Sequence, residues 1–195
     1  MTSGYIRTLA RLSFLTLALG AAAASFASAA ELKGWATPCP EKQQICFWVK
    51  AAVTPPKGWI EDEDWGFRYH SLFLFENGDH SDTKPVMYLT AHTHKKVETL
   101  EQFIQEGQIG WKGCHRERTI EKLADFERKN KPTFKVFLYK NPANPEQAFE
   151  LTAFTQDLDA AHPERNYFFE AVLISPDKEQ LERSKAAFYE LLANL

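Results

Sequence analysis

Residues 85–111 read PVMYLTAHTHKKVETLEQFIQEGQIGW, and the fold class turns on how this stretch changes its hydrophobic period. It begins with an alternation of two. Val86, Tyr88, Thr90, His92 and His94 share one face of a strand, while Met87, Leu89, Ala91 and Thr93 share the other. From Thr99 the spacing becomes helical. Thr99-Leu100-Glu101-Gln102 matches a capping box, in which the threonine caps the first turn and the glutamine reaches back to it. Leu100, Phe103, Ile104 and Trp111 then fall on one apolar stripe. Gly107 and Gly110 place the expected helix end near one of them.

Upstream, residues 45–53 (ICFWVKAAV) are β-branched and aromatic and predict a strand. Pro55-Pro56-Lys57-Gly58 breaks it, since proline has no donor for a ladder. Residues 67–76 (FRYHSLFLFE) predict a further strand, with Phe67, Tyr69, Ser71, Phe73 and Phe75 on one face. Downstream, 133–140, 149–155 and 166–174 read as strands, and 141–145 (NPANP) as a turn. Residues 118–130 fit a helix by composition and a strand by alternation, and propensity does not decide between them. Ser175-Pro176-Asp177 predicts a closing helix with Ser175 as its cap and an apolar side of Leu181, Phe188, Leu191 and Leu192. Many strands with one helix in the middle and one at the end give an α+β fold, a mostly antiparallel central sheet flanked by helices.

Residues 1–29 read as an address. Arg7 and Arg11 precede a short apolar run at 12–24, and Ala27-Ser28-Ala29 supplies small residues for cleavage. That run is shorter than the roughly 20 apolar residues of a membrane span. The expectation is a cleavable secretory signal at 1–29, an extended arm at 30–44 anchored by Trp35, and a single domain at 45–195. The product is then periplasmic or secreted, with no transmembrane segment after cleavage. The whole chain carries a formal charge of −3, and the leader contributes two arginines and no acid. A mildly acidic domain disfavours nucleic acid, which needs a basic face.

The chemistry-bearing residues are few. His92 and His94 stand two apart on a strand, so both rings project from one face, about 7 Å apart at the backbone. They are the candidates for a metal site. Zinc needs at least one further ligand, to come from His70, His80, Asp79, Asp82, Cys114 or His115 if the fold brings one close. No metal site is therefore assigned, and no cofactor is called for. Glu61-Asp62-Glu63-Asp64 lies between Trp59 and Trp65, but lacks the ligand spacing and glycine of a calcium loop and reads as a solvated turn. Ser175 to Lys178 matches S-x-x-K without the motifs that accompany it in penicillin-binding enzymes. No nucleophile elbow or phosphate-cradling loop is present. No catalytic residues are assigned. Aromatics make up 13% of the chain, so tryptophans lining a ligand groove are one further possibility.

The Trp59 that follows the Pro-Pro-Lys-Gly turn, the strand at 86–91 leading into 99–109, and the strand-and-helix ending at 166–192 together resemble the PsbP-like fold group. That group of small α/β/α domains includes an extrinsic photosystem II subunit and bacterial proteins. The resemblance implies a central antiparallel sheet between helices and a role in binding or assembling other proteins. It carries no functional residues over position by position. The leading expectation is a non-enzymatic accessory domain that binds a protein or an envelope component. The alternatives are a metal-binding protein using His92 and His94, and a small-ligand-binding module.

The chain has three cysteines, which allow one intramolecular disulfide. Cys39 and Cys46 close a short loop and are the expected pair, leaving Cys114 over; such a ring would stabilise by about 2–3 kcal/mol. A thiol titration of the unfolded, unreduced protein should then find one free thiol, whereas three would refute the pairing.

Overall fold

The computed structural model describes residues 31–38, 45–93, 99–113, 117–158 and 166–195. The sheet is built outward from β10 (Asn166–Ser175), the stretch NYFFEAVLIS. Both of its edges are taken by antiparallel partners, β5 (Val86–His92) on one side and β9 (Phe149–Leu158) on the other. Beyond β5 lie β4 (Leu72–Glu76) and the short edge strand β3 (Trp59–Glu61). Beyond β9 lie β8 (Lys131–Lys140) and β6 (Thr119–Lys122), with β7 (Phe126–Arg128) also paired to β8. Every pairing in this eight-stranded sheet is antiparallel. The protein is α+β, as its change of period implied.

Side chains alternate across the sheet, so each face has its own core. One face carries Met87 and Leu89, Phe134 and Val136, Leu151 and Ala153, and Phe169, Ala171 and Leu173. It is covered by α3 (Lys178–Asn194), through Leu181, Phe188, Leu191 and Leu192. A hairpin of β1 (Leu32–Pro38) and β2 (Ile45–Ala51) joins it there through Ala51, Leu32 and Val49. The opposite face carries Tyr139, Phe154 and Phe168 under Phe103 and Ile104 of α2 (Leu100–Lys112). Helices therefore flank the sheet on both sides.

The capping box forms as read: Gln102 N donates to Thr99 Oγ1 and Thr99 N donates to Gln102 Oε1, each at 3.2 Å. The helix does not stop at Gly107 or Gly110 but continues to Lys112, where Gly113 takes φ 47°. Both inner glycines face open space, and each costs about 1 kcal/mol relative to alanine. Packing of Trp111 against Tyr139, with ring centroids 4.9 Å apart, offsets that cost and carries the helix past them.

Four other expectations change. The arm at 30–44 contains a strand, because 32–38 finds a complete antiparallel partner in β2. The strand expected at 67–76 begins only at Leu72, and its first three residues belong to a new helix, α1 (Glu63–Tyr69). Asp62 caps that helix by accepting from Trp65 N at 2.8 Å, and the acidic run that read as a turn supplies its cap and first turn. Ser175 ends β10, and the cap of α3 is Asp177, which accepts from Gln180 N at 2.8 Å. Residues 118–130, which fitted either state, hold two strands because the β8 edge is open to receive them.

Phe188 is fully buried beneath the sheet. Phe188→Ala should lower stability by about 3–5 kcal/mol, read from the denaturant midpoint. Ile109→Ala, on the exposed side of α2, should stay within about 0.5 kcal/mol.

Candidate functional site

The face that α2 covers is not covered along its whole width. On the β4–β5 side its place is taken by α1, and the seven residues of that helix leave a cleft between themselves, the sheet and the loop that follows β4. Trp65 and Tyr69 stand one helical turn apart on α1 and present neighbouring rings, 5.4 Å between centroids. Phe73 and Phe75 project from β4, and Phe73 stands directly across from Tyr88 of β5 with ring centroids 5.3 Å apart. Phe75 stacks on His80 at 4.1 Å. The cleft holds about 340 Å³, and its rim includes Asp82, Lys84 and Glu146. Tyr69 is 51% exposed, so the aromatic wall reaches the surface.

The outer wall is held by pairings at its base. His80 Nε2 lies 3.3 Å from Asp62 Oδ2, joining the loop to the cap of α1. Gly66 lies so close to the following turn that a Cβ there would come within 2.8 Å of the Ser71 carbonyl oxygen, which fixes glycine on the inner side of α1. His70 ends the helix in the left-handed region at φ 54° and stacks against Trp48 with ring centroids 3.4 Å apart. Burial holds the His70 imidazole below its usual pKa.

Behind the cleft floor runs a row of polar side chains on the same sheet face. Burial, followed by the charges of Glu170 and Glu150, pushes the Tyr88 hydroxyl far above the usual tyrosine range, so it stays protonated. Burial also raises Tyr139. Glu150 lies under the end of α2, where its Oε1 accepts from the Trp111 indole at 3.2 Å. Arg118 lies with its guanidinium carbon 5.3 Å from the Trp111 ring and donates to the Trp111 carbonyl at 2.6 Å. Burial pushes the Glu150 carboxyl upward; the Trp111 bond opposes this, Glu170 adds to it, and Arg118 opposes it.

Of the histidine pair, His92 closes β5 on this face. Its Nε2 is 3.3 Å from Glu170 Oε2 but makes no hydrogen bond among the described residues, and its ring packs against Phe103. His94 lies outside the described residues, as do Cys114 and His115. Cys39 lies outside them too, and of Cys46 only its place in β2 is described. Among the described residues no three His, Cys, Asp or Glu gather as a metal would require. His70 and His80 are engaged with Trp48 and Asp62 instead.

The sequence reading missed the convergence of Trp65, Tyr69, Phe73, Phe75 and Tyr88. The signal that could have found it is the four-residue spacing of Trp65 and Tyr69 after an Asp cap, together with the strand phase that puts Tyr88 on the His92 face. Compared with models of known families and with curated proteins, the sequence matches none. Among the described residues no helix is long and apolar enough to cross a membrane.

The raised Glu150 makes a signed prediction. The folded state binds this proton more tightly than the unfolded state, so the group's contribution is full at low pH. It is lost as pH rises through the raised value. Glu150→Gln keeps an acceptor for Trp111 and does not titrate. Its stability relative to wild type should therefore improve from about pH 4 to about pH 7 in denaturant titrations; a pH-independent difference would contradict this.

Proposed function

We propose that the protein is an exported, non-enzymatic binding domain that engages a protein partner of the cell envelope through the aromatic cleft. The observation that carries this reading is the wall of Trp65, Tyr69, Phe73, Phe75 and Tyr88 around a cleft of about 340 Å³ with a half-exposed tyrosine at its lip. Rings held in place by a sheet and a short helix offer large contact area at little cost in side-chain freedom, which is why aromatics dominate binding hot spots. Export is supported by the leader at 1–29, and the periplasm or the exterior is the compartment it implies. A Cys39–Cys46 disulfide belongs to the same reading, since such compartments oxidise thiols. The PsbP-like resemblance points the same way, towards binding and assembly rather than turnover.

The cleft volume favours a second reading, a small-ligand module, because it falls near the lower end of the roughly 300–1,000 Å³ of small-molecule sites. Photo-crosslinking separates the two. A photoreactive residue at position 69, introduced in the exporting cell, should give one discrete protein adduct. The same group at position 109, exposed on the far side of α2, should give none. Equal labelling from both positions, or no adduct from position 69, would remove the protein-partner reading.

A further inference from the structure

The charge around the cleft narrows what it can hold. Asp82 and Glu146 lie on its lining, and neither forms an ion pair with another described residue. Behind the floor, the charges of Glu170 and Glu150 act on Tyr88. Among the described residues, Lys84 is the one lysine or arginine on the lining. Trp65, Tyr69 and Phe73 line the same cleft, and aromatic rings carry the negative quadrupole that attracts cations, most strongly in tryptophan. An anionic ligand would meet carboxylates at the rim and ring faces within, with a single ammonium to offset them. A cation meets two carboxylates and an aromatic wall. The space is also that of one long side chain rather than of a large cofactor.

We propose that the cleft receives the guanidinium or ammonium group of an arginine or lysine side chain presented by the partner protein, with the stem against the rings and the charge between Asp82 and Glu146. This rests on the protein-binding reading given above and specifies the chemistry of its anchor. Arginine is the better fit, since a planar guanidinium both stacks on aromatic faces and forks to a carboxylate. Lys84 then acts against the ligand, which gives the proposal an unusual sign: removing a polar contact from the rim strengthens binding.

The test is calorimetric titration of the purified protein with a short blocked peptide carrying one arginine, beside peptides carrying citrulline or glutamate at that position. The arginine peptide should bind about tenfold more tightly than the citrulline peptide, which is isosteric but neutral, and the glutamate peptide should not bind. Raising the salt concentration should weaken the arginine complex. Tyr69→Ala, at a half-exposed position, should weaken it about tenfold, and Asp82→Asn with Glu146→Gln should weaken it further. Lys84→Gln should tighten it by about two- to threefold. Equal affinity for arginine and citrulline, or weaker binding by Lys84→Gln, would overturn the proposal, as would binding of a free alkylguanidine but not of the peptide. If no arginine peptide binds while the position-69 adduct still forms, this inference fails and the protein-binding reading stands. If both are absent, both fail.

Discussion

The structure depends on one constraint, that β10 is hydrogen-bonded along both edges and packed on both faces. From Tyr167 to Leu173 every residue but Glu170 is buried. A strand enclosed in this way must be apolar on both sides, and YFFEAVL satisfies that with a single interruption. Its odd-numbered side chains form the floor on which α3 lies, and its even-numbered ones form the floor of the face shared by α2 and α1. Glu170 is placed where neither helix needs an apolar neighbour, beside His92 and within the field of Tyr88 and Glu150.

The cleft follows from how that second face is divided. α2 runs thirteen residues and buries Phe103 and Ile104 over β9 and β10, while α1 runs seven and buries only Gly66. A helix that short cannot close its half of the sheet, so aromatic side chains from α1, β4 and β5 line a gap instead of filling a core. Their mutual contacts at 5.3–5.8 Å make the wall a self-supporting cluster. Aromatics that alternate on strands are core residues by default; here they line an open cleft because the helix over them has only seven residues.

Much of this was legible in the residues. The strand-to-helix change between Tyr88 and Phe103, the Thr99–Gln102 capping box, and the apolar side of α3 were all readable because each is set by local periodicity or a local hydrogen bond. The errors share a cause. Phe67 and Tyr69 alternate with Phe73 and Phe75 as a strand should, and only the Asp62 cap, second of four consecutive acidic residues, marks the helix that overrides the pattern. The strands β6 and β7 were undecidable because they exist to complete the edge of β8, a contact no local pattern encodes. The cleft itself was legible only in its parts, since Trp65 and Tyr88 come to line one cleft through pairings of β4 with β5 that the sequence does not state.

A sheet anchored on β10, carrying a cleft whose outer wall is a seven-residue helix that buries only Gly66, has a direct test in native-state hydrogen exchange. Amides of residues 167–173 should exchange only through global unfolding, with protection equal to the full stability. Those of α1 should exchange through local opening at much lower free energy. Exchange of the β10 amides before those of α1, or equal protection of both, would contradict the account.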